Sequence, residues 1–151
     1  MTFVCFFLIS NVVKKYKQQL GAWGEDIAKS YYQKLGYQII AQNFSTRYGE
    51  LDLVFIKANK ILVVEVKTRS SLAFGFAEES ISRNKLQNLR TAYQILSRRN
   101  SLPADFEMEI CVVEKINQKK ASLNIKLKKS LTSGCQKRNH KLSIISAFGG
   151  H

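Results

Sequence analysis

A chain of 151 residues has the length of one ordinary domain and can bury a single substantial core. With 45% hydrophobic and 23% charged residues, it is not a disordered, fibrous or multi-span membrane sequence. Its 24 Lys and Arg against 11 Asp and Glu give a formal charge of +13, which points to a polyanionic partner, nucleic acid before an anionic membrane surface.

Residues 3–9 are an unbroken apolar run that Val12 and Val13 prolong, with Lys14, Lys15 and Lys17 after it. About a dozen residues is too short for a stable membrane span. A signal peptide would carry its positive charge before the run. Residues 1–17 are therefore expected to be an extension, either a docked terminal strand or a segment the fold does not need, ahead of a core domain at 18–114. From Leu20 to Leu35, Trp23, Ile27, Tyr31 and Leu35 recur at i+4 steps and Ala28 and Tyr32 widen the stripe, which predicts an amphipathic helix capped by Gly36. Tyr37–Phe44 reads as a strand, Asn43–Gly49 as a polar loop, and Leu51–Lys57 and Ile61–Lys67 as a hairpin turning at Ala58-Asn59-Lys60.

Residues 68–80, Ser-rich around Gly75, read as a flexible connection. A second helix is expected over Ser82–Arg98, burying Leu86, Leu89, Tyr93 and Leu96, and strands over Phe106–Val113 and, more weakly, Leu123–Leu127. This order predicts an α/β sandwich on a mixed sheet. Residues 115–151 carry nine Lys and Arg and no Asp or Glu, and read either as a solvated basic segment with a last strand or as an arm that contacts phosphates through Lys119, Lys120, Lys126, Lys128 and Lys129. Cys5, Cys111 and Cys135 form neither a disulfide framework nor a zinc motif, which suits a reducing, cytoplasmic compartment.

The chemistry lies in the hairpin. Along its second strand Val63, Glu65 and Lys67 share one face, and Leu62, Val64 and Val66 the other. Residues opposite each other in an antiparallel pair point to the same side, so the turn decides what Glu65 and Lys67 meet. With Ala58-Asn59 as the turn, Asp52 faces Glu65; with Asn59-Lys60, it faces Lys67; a three-residue turn sends the pair to the opposite face unless a bulge intervenes. Two neighbouring carboxylates repel unless a cation lies between them, and all-oxygen ligation suits magnesium or manganese. A lysine beside them could orient a polarised water for attack at phosphorus.

The chain resembles the YraN family, a bacterial group with a restriction-endonuclease-like fold of the PD-(D/E)XK nuclease superfamily. The likeness rests on Gly24-Glu25-Asp26-Ile27-Ala28, on Gly49-Glu50-Leu51-Asp52-Leu53-Val54 and on Val63-Val64-Glu65-Val66-Lys67-Thr68-Arg69, with Gly75, Lys85, Leu89, Ala92 and Tyr93 further on. Ile145-Ser146-Ala147-Phe148 resembles the family's closing segment. The resemblance implies a three-layer sandwich around a mixed sheet of four or five strands. It also implies a metal-dependent nuclease site in which Asp52 and Glu65 hold magnesium or manganese, Lys67 acts on the water and Glu25 adds a carboxylate. Arg69 and Lys85 are the core's candidate contacts to nucleic acid, DNA before RNA. The alternative is a nucleic-acid-binding protein that retains the fold without catalysis.

Overall fold

The computed structural model describes residues 2–69, 82–115, 121–130 and 145–147, with the backbone alone at 2–12, 122, 124–130 and 145–147. Helix α1 spans Thr2–Lys34, so the terminal apolar run is helical, not the strand expected as one option. The run has no period-two alternation and passes without Gly or Pro into Lys14–Leu20, where Lys, Gln and Leu are good helix formers, so no strong breaker stops the helix from continuing back through it. It also crosses the boundary placed at residue 17. Among the described residues no helix is long and apolar enough to cross a membrane.

Gly36 ends α1 with φ of 84°, a left-handed conformation that costs glycine little. The Gly36 N–H donates to the Gln33 carbonyl at 2.9 Å and the Tyr37 N–H to that of Tyr32 at 3.1 Å, the paired bonds of a Schellman cap. The chain then enters β1 (Gln38–Thr46), β2 (Gly49–Lys57) and β3 (Lys60–Arg69). The polar loop expected at residues 43–49 is mostly strand, because β1 runs on to Thr46 and only Arg47 and Tyr48 make the turn. Thr68 and Arg69 likewise extend β3; the rest of the expected connection, with Gly75, lies outside the described residues.

Helix α2 (Arg83–Asn100) begins where the Ser82 hydroxyl accepts from the Lys85 N–H, and it carries the chain to β4 (Phe106–Lys115). That crossover lets β4 pair parallel with β3, while every other pair is antiparallel. Strands β5 (Ala121–Ser130) and β6 (Ile145–Ala147) complete, among the described residues, a six-stranded mixed sheet in sequential order, one strand more than the upper expectation.

Two cores flank the sheet. On one face α1 buries Ala28 and Tyr32 against Leu53, Phe55, Leu62, Val64 and Cys111. On the other, α2 buries Leu89, Ala92, Tyr93 and Leu96 against Leu51, Val54, Val63 and Met108. This is the three-layer restriction-endonuclease-like sandwich that the sequence leads one to expect. The buried stripe of α1 is rotated from the expected one: Ala28 and Tyr32 lie at 0% and 1% exposure, whereas Leu35 is 43% exposed. Gly24 and Ala28, one turn apart, let the helix settle close to the sheet on its small-residue side.

Candidate functional site

Ala58 and Asn59, with φ of 48° and 60°, form a two-residue turn in which both residues are left-handed, the type I′ geometry that matches strand twist. Lys57 therefore faces Lys60, and the ladder runs to Leu53 opposite Val64. That turn is the one in the first of the alternatives left open by the sequence, but Leu51 and Leu53 pack on opposite faces of the sheet, so the strict alternation breaks at Asp52. The regular pairing of β2 with β3 ends there. The Val66 N–H donates to Asp52 Oδ2 at 2.7 Å, so a side-chain carboxylate takes the place of a ladder acceptor and the strands part around it.

The fork collects charge from three elements. Glu65 is only 2% exposed, in the middle of β3. Its Oε1 takes Lys67 Nζ at 2.8 Å and Lys85 Nζ, from the first turn of α2, at 2.9 Å. Both lysine side chains are nearly half exposed, so each links the buried acid to solvent. The second oxygen, Glu65 Oε2, is buried and has no hydrogen-bond partner, and the same is true of Glu25 Oε2 on α1. Burial pushes the Asp52 carboxyl up to about 7; Glu65 and, less strongly, Glu25 push the same way, while the Val66 N–H and Lys85 oppose them.

Glu25 reaches the fork because α1 approaches β3 closely. A Cβ on Gly24 would clash with the Thr68 side chain, so any larger residue there must displace the threonine or the helix. The structure thus draws Asp52, Glu65, Lys67 and Lys85 together, with Glu25 near enough to act on Asp52. Arg69 closes β3 beyond them. Lys126, Lys128 and Lys129 lie in β5, and Lys126 is the extra residue where the pairing with β4 shifts between Ile110 and Cys111. Lys119 and Lys120 lie outside the described residues.

A buried polar pair escaped the sequence reading. The Tyr32 hydroxyl donates at 2.7 Å to Glu109 Oε2 on the α1 face, and Glu109 is 6% exposed. Burial first, and then Glu109, raise the Tyr32 hydroxyl well above its ordinary range, so it stays a donor. The signal was Glu109 between Met108 and Ile110, a lone acid within an otherwise apolar strand.

Do these donors fit a divalent ion? Two buried carboxylate oxygens without partners, beside a carboxyl that burial and its anionic neighbours disfavour as an anion, are what such an ion would satisfy. Among the described residues no group of three or more His, Cys, Asp or Glu side chains converges closely enough to hold a metal. The most this donor set would offer such an ion is two carboxylates, with water completing its shell.

Fold and site together define a restriction-endonuclease-like α/β protein with an acidic, lysine-flanked cluster at a forked strand pair. Residues 24–114, the stretch that builds both, match the Uncharacterised protein family UPF0102, the YraN family, and the chain belongs to it. The chain is similar to a UPF0102 protein of Syntrophomonas wolfei, 52% identical over 75 residues that cover 50% of this chain and 65% of that one. It is also similar to one of Caldicellulosiruptor saccharolyticus, 36% identical over 115 residues that cover 76% of this chain and 97% of that one. A third, from Vibrio campbellii, is 37% identical over 100 residues.

Proposed function

We propose that the chain is a divalent-metal-dependent nuclease that hydrolyses phosphodiester bonds in nucleic acid, DNA before RNA. The observation that carries this reading is Glu65: a buried acid with two lysines on one oxygen and none on the other, close to Asp52 where β2 and β3 part. Asp52 and Glu65 would hold magnesium or manganese, with Glu25 as an additional carboxylate. When bound, the ion would supply charge to offset that of the transition state and would acidify a coordinated water. Lys67, fixed by Glu65 and open to solvent, would position that water by donating a hydrogen bond to it. Lys85 would place a second positive charge beside the phosphate.

A non-catalytic nucleic-acid-binding protein of the same fold is the second reading, favoured by the lack of a three-donor metal group among the described residues. Single-turnover cleavage of linear, nicked, flapped and four-way-junction DNA and RNA separates the two. The nuclease reading predicts cleavage with magnesium or manganese and none in EDTA. It also predicts that Lys67→Ala slows cleavage by about 10²–10⁴-fold while gel-shift affinity in calcium stays nearly constant. Tight binding without cleavage of any substrate, indistinguishable in Lys67→Ala, overturns it in favour of the binding protein.

A further inference from the structure

A groove of about 540 Å³ lies between the β1–β2 turn and the second half of α2, away from the acidic fork. Arg47, Arg98 and Arg99 line it, none of the described carboxylates does, and Thr91 and Gln94 add a hydroxyl and an amide. The Arg47 guanidinium lies 4.7 Å from the centre of the Tyr48 ring and bonds its hydroxyl, and that ring is still 37% exposed. Arg99 lies 5.8 Å from the centre of the Phe44 ring, so two of the three guanidinium groups rest on aromatic side chains. Along α2, Lys85, Asn88, Thr91, Ile95 and Arg98 recur at three- and four-residue steps and none is buried, so they form one stripe. It leads from Lys85, on Glu65, to the groove.

We infer that this groove binds the backbone of a single-stranded polynucleotide and stacks one of its bases on Tyr48. Forked guanidinium groups match phosphate, and an exposed aromatic ring beside them matches an unpaired base. A cavity of small-ligand size admits a nucleotide or two, whereas a duplex would touch only its rim. The helical rise from Lys85 to Arg98 is about 20 Å. That is about six phosphates at duplex spacing and fewer in an extended strand, so a strand held in the groove could reach the fork. The inference deepens the nuclease reading and rests on it only for the direction in which the strand runs.

The test is fluorescence titration of the full chain in EDTA, without turnover, using labelled dT12 and a 12-base-pair duplex across a salt series. Replacing Arg47, Arg98 and Arg99 together by Gln should weaken dT12 binding at least tenfold and lower the log–log salt slope by about two. The corresponding triple Lys variant should keep the slope, which excludes misfolding as the cause. Tyr48→Ala should weaken dT12 binding about tenfold and leave duplex binding unchanged. Unaltered dT12 affinity and slope in the Gln variant overturn the inference, as does an equal loss on the duplex. Arginine-dependent binding of phosphatidylserine vesicles that exceeds binding of dT12 would make the groove a membrane contact and overturn it too. A chain that cleaves nothing can still pass this test, and one that cleaves can fail it.

Discussion

Asp52 is where the structure meets the chemistry most directly. Its carboxyl, ordinarily near 3.8, is pushed up to about 7, chiefly by burial and then by Glu65. A folded-state value above the unfolded one means that the fold favours the protonated acid. The stability this contributes is complete below about pH 4 and is lost as the pH rises through 7. The metal-free protein should therefore be less resistant to urea at pH 8 than at pH 5. Asp52→Asn, which keeps an acceptor for the Val66 N–H, should gain about 1–3 kcal/mol at pH 8 in EDTA and nothing at pH 4. Saturating magnesium should reverse the order at pH 8, because only the carboxylate gains from it. Urea unfolding at the two pH values, with and without the ion, checks all three outcomes. The meeting of Glu65 with Lys67 was legible from alternation, and the nearness of Asp52 to Glu65 from a short turn. Lys85 on the same Glu65 oxygen was not, since that contact depends on how α2 crosses the sheet; nor was the capture of the Val66 N–H, which exists only because β2 and β3 part.

Among the elements, α1 decides whether Glu25 belongs to the site. A methyl group at position 24 would drive into Thr68, so Gly24→Ala must push the helix from β3 or turn the threonine. We expect a cost of about 1–3 kcal/mol in thermal unfolding, and a fall in cleavage larger than the lost stability explains, because Glu25 retreats with the helix. Gly24→Ala paired with Thr68→Ala, which removes both the Oγ1 and the Cγ2 that crowd the added Cβ, should recover part of both. Both helices announced themselves by periodicity, and α2 buries Leu89, Tyr93 and Leu96 as expected, whereas Leu86, one turn from its start, is only partly buried. The stripe of α1 holds in Trp23, Ile27, Ala28, Tyr31 and Tyr32, but its centre lies on Ala28 and Tyr32 and Leu35 falls outside it, because periodicity weighs large apolar residues. In the fold, the closest approach to the sheet is set by Gly24 and Ala28, which carry almost no hydrophobic signal. The extended reading of the terminus failed for a related reason: a short continuous apolar run has no period, and its conformation follows from what adjoins it.

Across the whole molecule, the positive surplus is concentrated after Glu114, while the buried acids lie in the core. The basic segment supplies β5 to the sheet beside β4, so at least part of it is built into the fold. If its lysines lie along bound phosphates, neutralising three of Lys119, Lys120, Lys126, Lys128 and Lys129 should lower the log–log salt slope of binding by about two to three; a solvated segment would leave it unaltered. The mixed order of strands was legible because a helix separates β3 from β4 and forces a parallel pair. The sixth strand was not, since three residues carry too little pattern. The most direct test of the central claim, that the fork is a divalent-cation site serving hydrolysis, is calorimetric titration of the intact chain with manganese at two pH values. The prediction is one site, lost in Asp52→Asn and in Glu65→Gln, whose occupation releases most of one proton at about pH 5.5 and almost none at about pH 9, as a carboxyl near 7 requires. Manganese binding of equal affinity in wild type and both variants, or no binding at either pH, would contradict it.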